Sequence, residues 1–263
     1  MKVPNKPEKF AKESDLCDAF IAAIPLDRSN REEWTCYPET DGWDILLVRK
    51  SDGAQIGIQA KLRLNNKVVA QTLPDHRFDR EGPDYRAVLV PDTGCSNDLT
   101  PICAALGITV ILFRGKLPKN MLGPEFHPFL PRESWGAEGQ WHQWAPLRRH
   151  VLPDYVPDVA AGSAAPVALT KWKISAIKLA VLLEIRPVTR ADFKVLELSP
   201  SRWFDPYSGW LRRTDGGFVA GPRLPDFRAQ HPVNFEQIKA DLPKWGAKLI
   251  ASRLLQRQME ARP

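Results

Sequence analysis

The chain has 263 residues, of which 43% are hydrophobic and 26% charged, and a formal net charge of +6. No apolar run approaches the roughly 18–20 residues that a membrane helix needs. The opening MKVPNKPEKFAKESD has basic residues but no apolar core behind them, so neither a membrane span nor a secretory leader is expected. Cys17, Cys36, Cys95 and Cys103 have no CxxC spacing, which argues against a zinc ribbon or a disulfide scaffold and for buried thiols in a reducing cytoplasm.

Residues 8–26 carry Phe10, Leu16, Phe20, Ile21 and Ile24 at helical spacing, and Pro25 ends the pattern. Strands are expected at 33–38, 43–49 and 55–62, the last two joined by a hairpin turn at Asp52-Gly53. A short helix follows at 65–73, then a strand at 85–90, a helix at 97–106 stopped by Gly107, and a strand at 108–114. A meander of strands running into alternating helices and strands implies an α/β domain with a mixed central sheet flanked by helices.

Residues 116–168 hold eight prolines, three histidines (His127, His142, His150) and three tryptophans (Trp135, Trp141, Trp144). They read as an irregular extension packed on the first domain, with 153–168 as a linker. The histidines lack metal-site spacing, so structural roles are expected of them. Order resumes with a helix over 171–186, a second over 190–198 capped by Thr189, and a hairpin over 209–221 with Asp215-Gly216 at its turn. More helix is expected over 233–260.

The charge is divided unevenly. Residues 167–263 hold 17 Lys plus Arg against 9 Asp plus Glu, a surplus of eight, so the rest of the chain carries a deficit of two. A basic C-terminal third points to a module for a polyanion. Helices followed by a basic hairpin resemble a winged helix-turn-helix, in which one helix enters the major groove and the hairpin tracks the backbone. Lys171, Lys173, Arg202, Arg212 and Arg213 are the candidate DNA contacts.

The candidate chemistry lies on the first domain. Side chains alternate along a strand, so Gln59 and Lys61 are expected on one face, and the hairpin brings Asp44 beside them. Phosphodiester hydrolysis needs a divalent cation, and Mg²⁺ or Mn²⁺ takes oxygen ligands. Asp44, the Gln59 amide oxygen and the Ala60 carbonyl are the expected ligands, with Lys61 stabilising developing charge and Glu13 completing the site from the first helix. Glu39 and Asp41 are alternative acids but read as turn residues beside Gly42. Asp75, His76 and Asp79 form a further polar cluster, read as solvated loop.

The order of a helix with Glu13, then GWDILLV, then IGIQAK, then helix and strand resembles the PD-(D/E)XK nuclease superfamily, closest to its Mrr-type branch with a D…QxK pattern. The resemblance covers residues 8–115. It implies a restriction-endonuclease-like fold and Mg²⁺-dependent cleavage of duplex DNA, as in restriction or anti-phage defence. By this likeness Asp44 is the metal-binding acid, Gln59 the acid-or-amide position, Lys61 the catalytic lysine and Glu13 the first-helix acid. Trp43 stands where the motif's name has proline, and Gln59 supplies one negative charge fewer than the ExK form. Two other readings stay open: a nuclease-like DNA-binding or assembly subunit that has lost cleavage, and a regulatory protein whose C-terminal domain binds a protein partner. A homodimer or a partner subunit is compatible with the first two.

Overall fold

The computed structural model describes residues 10–26, 34–73, 81–115, 125–131, 140–163, 168–205, 207–247 and 249. The chain divides into two compact units, and the division is not a single cut. Pro153–Asp158 group with the second unit, whereas the segment from Val159 returns to the first before the chain crosses again near residue 167. The stretch expected to be a linker is therefore shared between the units. Among the described residues no helix is long and apolar enough to cross a membrane.

In the first unit, α1 (Glu13–Ala23) precedes β1 (Trp34–Thr40), β2 (Trp43–Arg49) and β3 (Gln55–Ala60). Then follow α2 (Asn66–Thr72), β4 (Tyr85–Pro91), α3 (Leu99–Ala105), β5 (Thr109–Phe113) and the two-residue β6 (Phe126–His127). The six strands form one mixed sheet in sequence order. The β1–β2, β2–β3 and β5–β6 pairs are antiparallel; β3–β4 and β4–β5 are parallel. The parallel connections pass through α2 and α3, as parallel strands require a crossover.

Alternation along the strands fills two layers. Ile45, Leu47, Ile56, Ile58, Ala87, Leu89 and Ile111 pack with Leu16, Cys17 and Phe20 of α1. On the opposite face Val88 and Val90 pack with Val68 and Val69 of α2 and Cys103 of α3. Both faces are covered, which explains why β3 and β4 are buried along their whole length. Asn65, whose side chain accepts from the Val68 N–H, fixes the start of α2.

Three local expectations need correction. The first strand runs on through Glu39 and Thr40, and only Asp41-Gly42 turns, because Thr40 pairs with Trp43 across a two-residue hairpin. Helix α1 starts at Glu13, with Lys12 as its N-cap, and leaves Phe10 to pack against the core from outside the helix. Strand β6, which a two-residue apolar pattern does not announce, extends the sheet beyond β5. The cluster at Asp75, His76 and Asp79 lies outside the described residues, as does Trp135.

The second unit begins its helices with α4 (Lys171–Ile185), α5 (Arg190–Val195) and the single-turn α6 (Ser201–Phe204). A hairpin of β7 (Leu211–Thr214) and β8 (Gly217–Ala220) and the helices α7 (Phe227–Gln230) and α8 (Pro232–Ala240) follow. Thr189 caps α5 in a reciprocal box with Asp192. Val188, between α4 and α5, bridges to Phe218 of β8 and ties the hairpin to the helices. The core gathers Ile177, Val181, Phe193, Trp203, Phe227, Phe235 and Ile238. From the segment before Val159, Asp158 accepts the N–H groups of Val233 and Asn234 at the start of α8 and pairs with His231.

Candidate active site

The site forms where β2 and β3 part. Their ladder ends at the Ile45–Ile58 pair, which leaves the Ala60 N–H on the β2 side without a strand partner. The Asp44 carboxylate takes that place, accepting from Ala60 at 2.7 Å. Trp43 lies beside this parting. Its indole packs with Leu46 and Val48 and lies so close over Gly57 that an added Cβ would sit 2.4 Å from the ring. The indole N–H donates to His150 Nε2 at 3.1 Å, which anchors the residue preceding Asp44. Trp43 thus has a structural duty here.

Lys61 is the first residue beyond β3. Its ammonium pairs with Glu13 Oε2 at 2.5 Å. Asp44 is coupled to the same two residues: burial pushes its carboxyl above the usual range, the Ala60 N–H and Lys61 pull it down, and Glu13 pushes it up. Asp44, Lys61 and Glu13 therefore form one electrostatic group. Gln59 does not share their partners; its amide N–H donates to the Gly42 carbonyl at 2.6 Å. The expectation that Gln59 and Lys61 work side by side is corrected in this respect, because Lys61 has left the strand and turned to α1.

The structure adds one acid that sequence reasoning set aside. Glu39 stands opposite Asp44 across the β1–β2 hairpin, between the Pro38–Ile45 and Thr40–Trp43 pairs. Burial raises its carboxyl, Asp44 raises it further, and the Gly162 and Ser163 N–H groups and Lys61 oppose the rise. Gly162 donates to Glu39 Oε1 at 2.7 Å. Its φ of +67° and its approach to Glu13 and the Cys17 sulfur need the absence of a side chain. The signal was present in the sequence: Asp41-Gly42 is a two-residue turn motif, and such a turn sets residues 39 and 44 opposite each other. Asp41 itself faces His150 at the other side of the turn.

Three carboxylates thus surround one ammonium, a surplus of two negative charges when all are ionised. Cys17 reports the same field, since burial first and then Asp44, Asp18 and Glu39 push its thiol far above the ordinary value. Burial also pushes Cys36 up to about 12. Both are inert thiols at neutral pH.

The donors suit a hard divalent cation. Among the described residues, Asp44 Oδ1, Glu39 Oε2 and the Gln59 side-chain oxygen accept no hydrogen bond. All are oxygens, the ligand type that Mg²⁺ takes. No three His, Cys, Asp or Glu side chains of the described residues are arranged to hold an ion by themselves.

The histidines hold structure. His150 binds Trp43, and burial lowers its pKa while Asp41 opposes this. His127 meets Gln140, and His142 lies edge-on to Trp144. In the second unit, Arg202, Arg212 and Arg213 are exposed, whereas Lys171 pairs with Glu197. Lys173 turns inward onto Gln230 and over the Phe227 ring, and burial lowers its pKa. In comparisons with known proteins, no family model matches the chain, and no curated protein or solved structure matches it.

Proposed function

We propose that the first unit is a metal-dependent endonuclease acting on duplex DNA and that the second unit holds the substrate. The observation that carries this reading is the charge-unbalanced group of Glu13, Glu39, Asp44 and Lys61 at the parting of β2 and β3. Its setting supports the restriction-endonuclease-like resemblance, since a helix, an antiparallel meander of three strands, a helix and a parallel strand follow in that order. In the second unit, the order of helix, bridge, two helices and two-stranded hairpin supports the winged-helix reading.

Asp44, Glu39, Gln59 and the Ala60 carbonyl would hold Mg²⁺ or Mn²⁺, which supplies charge neutralisation and lowers the pKa of a bound water. The chain's own residues do the rest. Lys61 stabilises negative charge growing on the phosphate oxygens. Glu13 fixes the ammonium in place, and the Ala60 N–H fixes the Asp44 carboxylate. Burial of these groups strengthens their fields relative to water.

A second reading, a DNA-binding or assembly subunit without cleavage, is favoured by Gln59. It is neutral, and its amide is engaged with the Gly42 carbonyl. Incubation of the full chain and its Lys61→Ala variant with duplex DNA, single-stranded DNA and RNA, with Mg²⁺ or with chelator, separates the two. Metal-dependent cutting lost in the variant is expected. Salt-sensitive DNA binding without cutting by either protein would establish the second reading instead.

A further inference from the structure

We infer that the second unit holds duplex DNA through its phosphate backbone alone, without reading base sequence, by Arg202 on α6 and Arg212 and Arg213 on the β7–β8 ribbon. The inference rests on the DNA-holding role proposed above and refines it.

A helix that reads the major groove presents several side chains to base edges. The helix that precedes the hairpin is α6, and it has four residues, about 6 Å of helix at 1.5 Å per residue. Trp203 is fully buried. Phe204 packs on Phe193 and Phe218, with ring centroids 4.8 and 4.1 Å away. The Ser201 hydroxyl meets that of Ser199. Arg202 is then the single long polar side chain that α6 offers to solvent, and its guanidinium lies over the Trp210 ring. One arginine on one turn of helix cannot discriminate a site of several base pairs.

The unit's charges are distributed to match. Glu184 binds Arg228 and Lys239, Asp192 binds Arg186, Glu197 binds Lys171, and Asp241 binds Lys244. Asp158 faces His231, and Asp205 accepts from the Tyr207 and Ser208 N–H groups. Among the described residues Arg202, Arg212 and Arg213 make no ion pair, so the uncompensated positive charge of the unit includes these three side chains. Successive strand residues point to opposite sides, so Arg212 and Arg213 straddle the ribbon, an arrangement for tracking phosphates on both sides of it. Asp215 at the turn opposes phosphate approach at the tip and places the contact on the arginines behind it.

The test uses the full chain in chelator, with labelled duplexes of about 30 bp in unrelated sequences and a randomised duplex library, titrated over a range of salt. Affinities within about threefold across sequences are expected, falling steeply with salt. Replacing Arg212 and Arg213 together by Ala should weaken every duplex alike and reduce the salt slope by about two, and Arg202→Ala should reduce it by about one. Asp215→Asn should tighten all duplexes. These side chains are exposed, and unchanged melting temperatures will show that the variants fold. A library member bound about a hundredfold more tightly than the rest would overturn the inference, as would arginine variants with an unchanged salt slope. If the parent chain shows no salt-sensitive binding to any duplex, the DNA-holding role itself falls.

Discussion

Around Lys61 the first unit keeps three carboxylates near one ammonium, and burial holds Asp44 and Glu39 above their usual range. The second unit does the reverse: among the described residues most of its acids are committed to lysines, arginines, a histidine and backbone N–H groups, while exposed arginines that include Arg202, Arg212 and Arg213 make no ion pair. A folded chain has every reason to neutralise its own charges. Where it leaves an excess of one sign, a partner of the other sign is the economical explanation. The excess is negative and partly buried in one unit, fitting a small hard cation. It is positive and exposed in the other, fitting a polyanion.

The comparison is broken most decisively at the site. Asp44→Asn keeps an acceptor for the Ala60 N–H but removes a charge, and Lys61→Ala removes the ammonium. Each should reduce metal-dependent duplex cleavage by about 10²–10³-fold, measured as initial rates at saturating Mg²⁺. Retention of parental rates would show that the acid surplus has no catalytic role.

The next largest effect separates committed charge from unpaired charge. Arg186→Ala strips the buried Asp192 of its main partner and should cost about 3 kcal/mol in denaturant unfolding, whereas Arg212→Ala should change stability by less than about 0.5 kcal/mol. Equal costs would erase the distinction. The pH profile sharpens it. Burial alone would raise the Asp192 carboxyl, but hydrogen bonds from Arg186 and Thr189 prevail and hold it below the ordinary value of 3.8. The unfolded chain therefore binds the proton more readily. The stabilisation is present above pH 3.8 and is lost as pH falls through the folded value, so parental melting should drop over that acid range, and Arg186→Ala should flatten the drop.

The smallest effect concerns Glu39, whose carboxyl is raised. Stability from such a group is present below its unfolded value and lost as pH rises through the folded one. Glu39→Gln should therefore raise the melting temperature of the metal-free protein near neutral pH by a few degrees. It should also reduce the further rise that Mg²⁺ produces, whether or not the chain cuts DNA. A variant that melts lower and still gains fully from Mg²⁺ would remove Glu39 from the cation site.

Much of the fold was legible because its signals were local and strong. The Asp52-Gly53 and Asp215-Gly216 turns, the Asn65 and Thr189 caps and the apolar runs of β2 and β4 each declare an element within a few residues. Asp44, Lys61 and Glu13 were legible for a different reason, since spacing and strand order brought them to one end of the sheet. Glu39 was hidden by its neighbours, because Thr40-Asp41-Gly42 looks like loop while only its last two residues turn. The partners of Gln59 and Lys61 were also hidden. Alternation places both on one face, but it ceases to apply one residue past Ala60, where the strand ends.

The double crossing of the chain between the units bears on how this protein can be inherited or dismantled. Asp158 secures the start of α8 in the second unit, and a few residues later Ala161 fills the core beside α1 while Gly162 and Ser163 hold Glu39. A recombination event or a protease that severs the chain between residues 158 and 161 leaves Asp158 on the piece that carries the first unit and Ala161, Gly162 and Ser163 on the piece that carries the second. A cut a few residues earlier keeps Asp158 with the second unit but deprives the first of part of its core, and one a few residues later keeps that core but deprives the second unit of its clasp. The two units are therefore poor candidates for free exchange with other proteins, and their pairing is expected to pass between genomes as one piece.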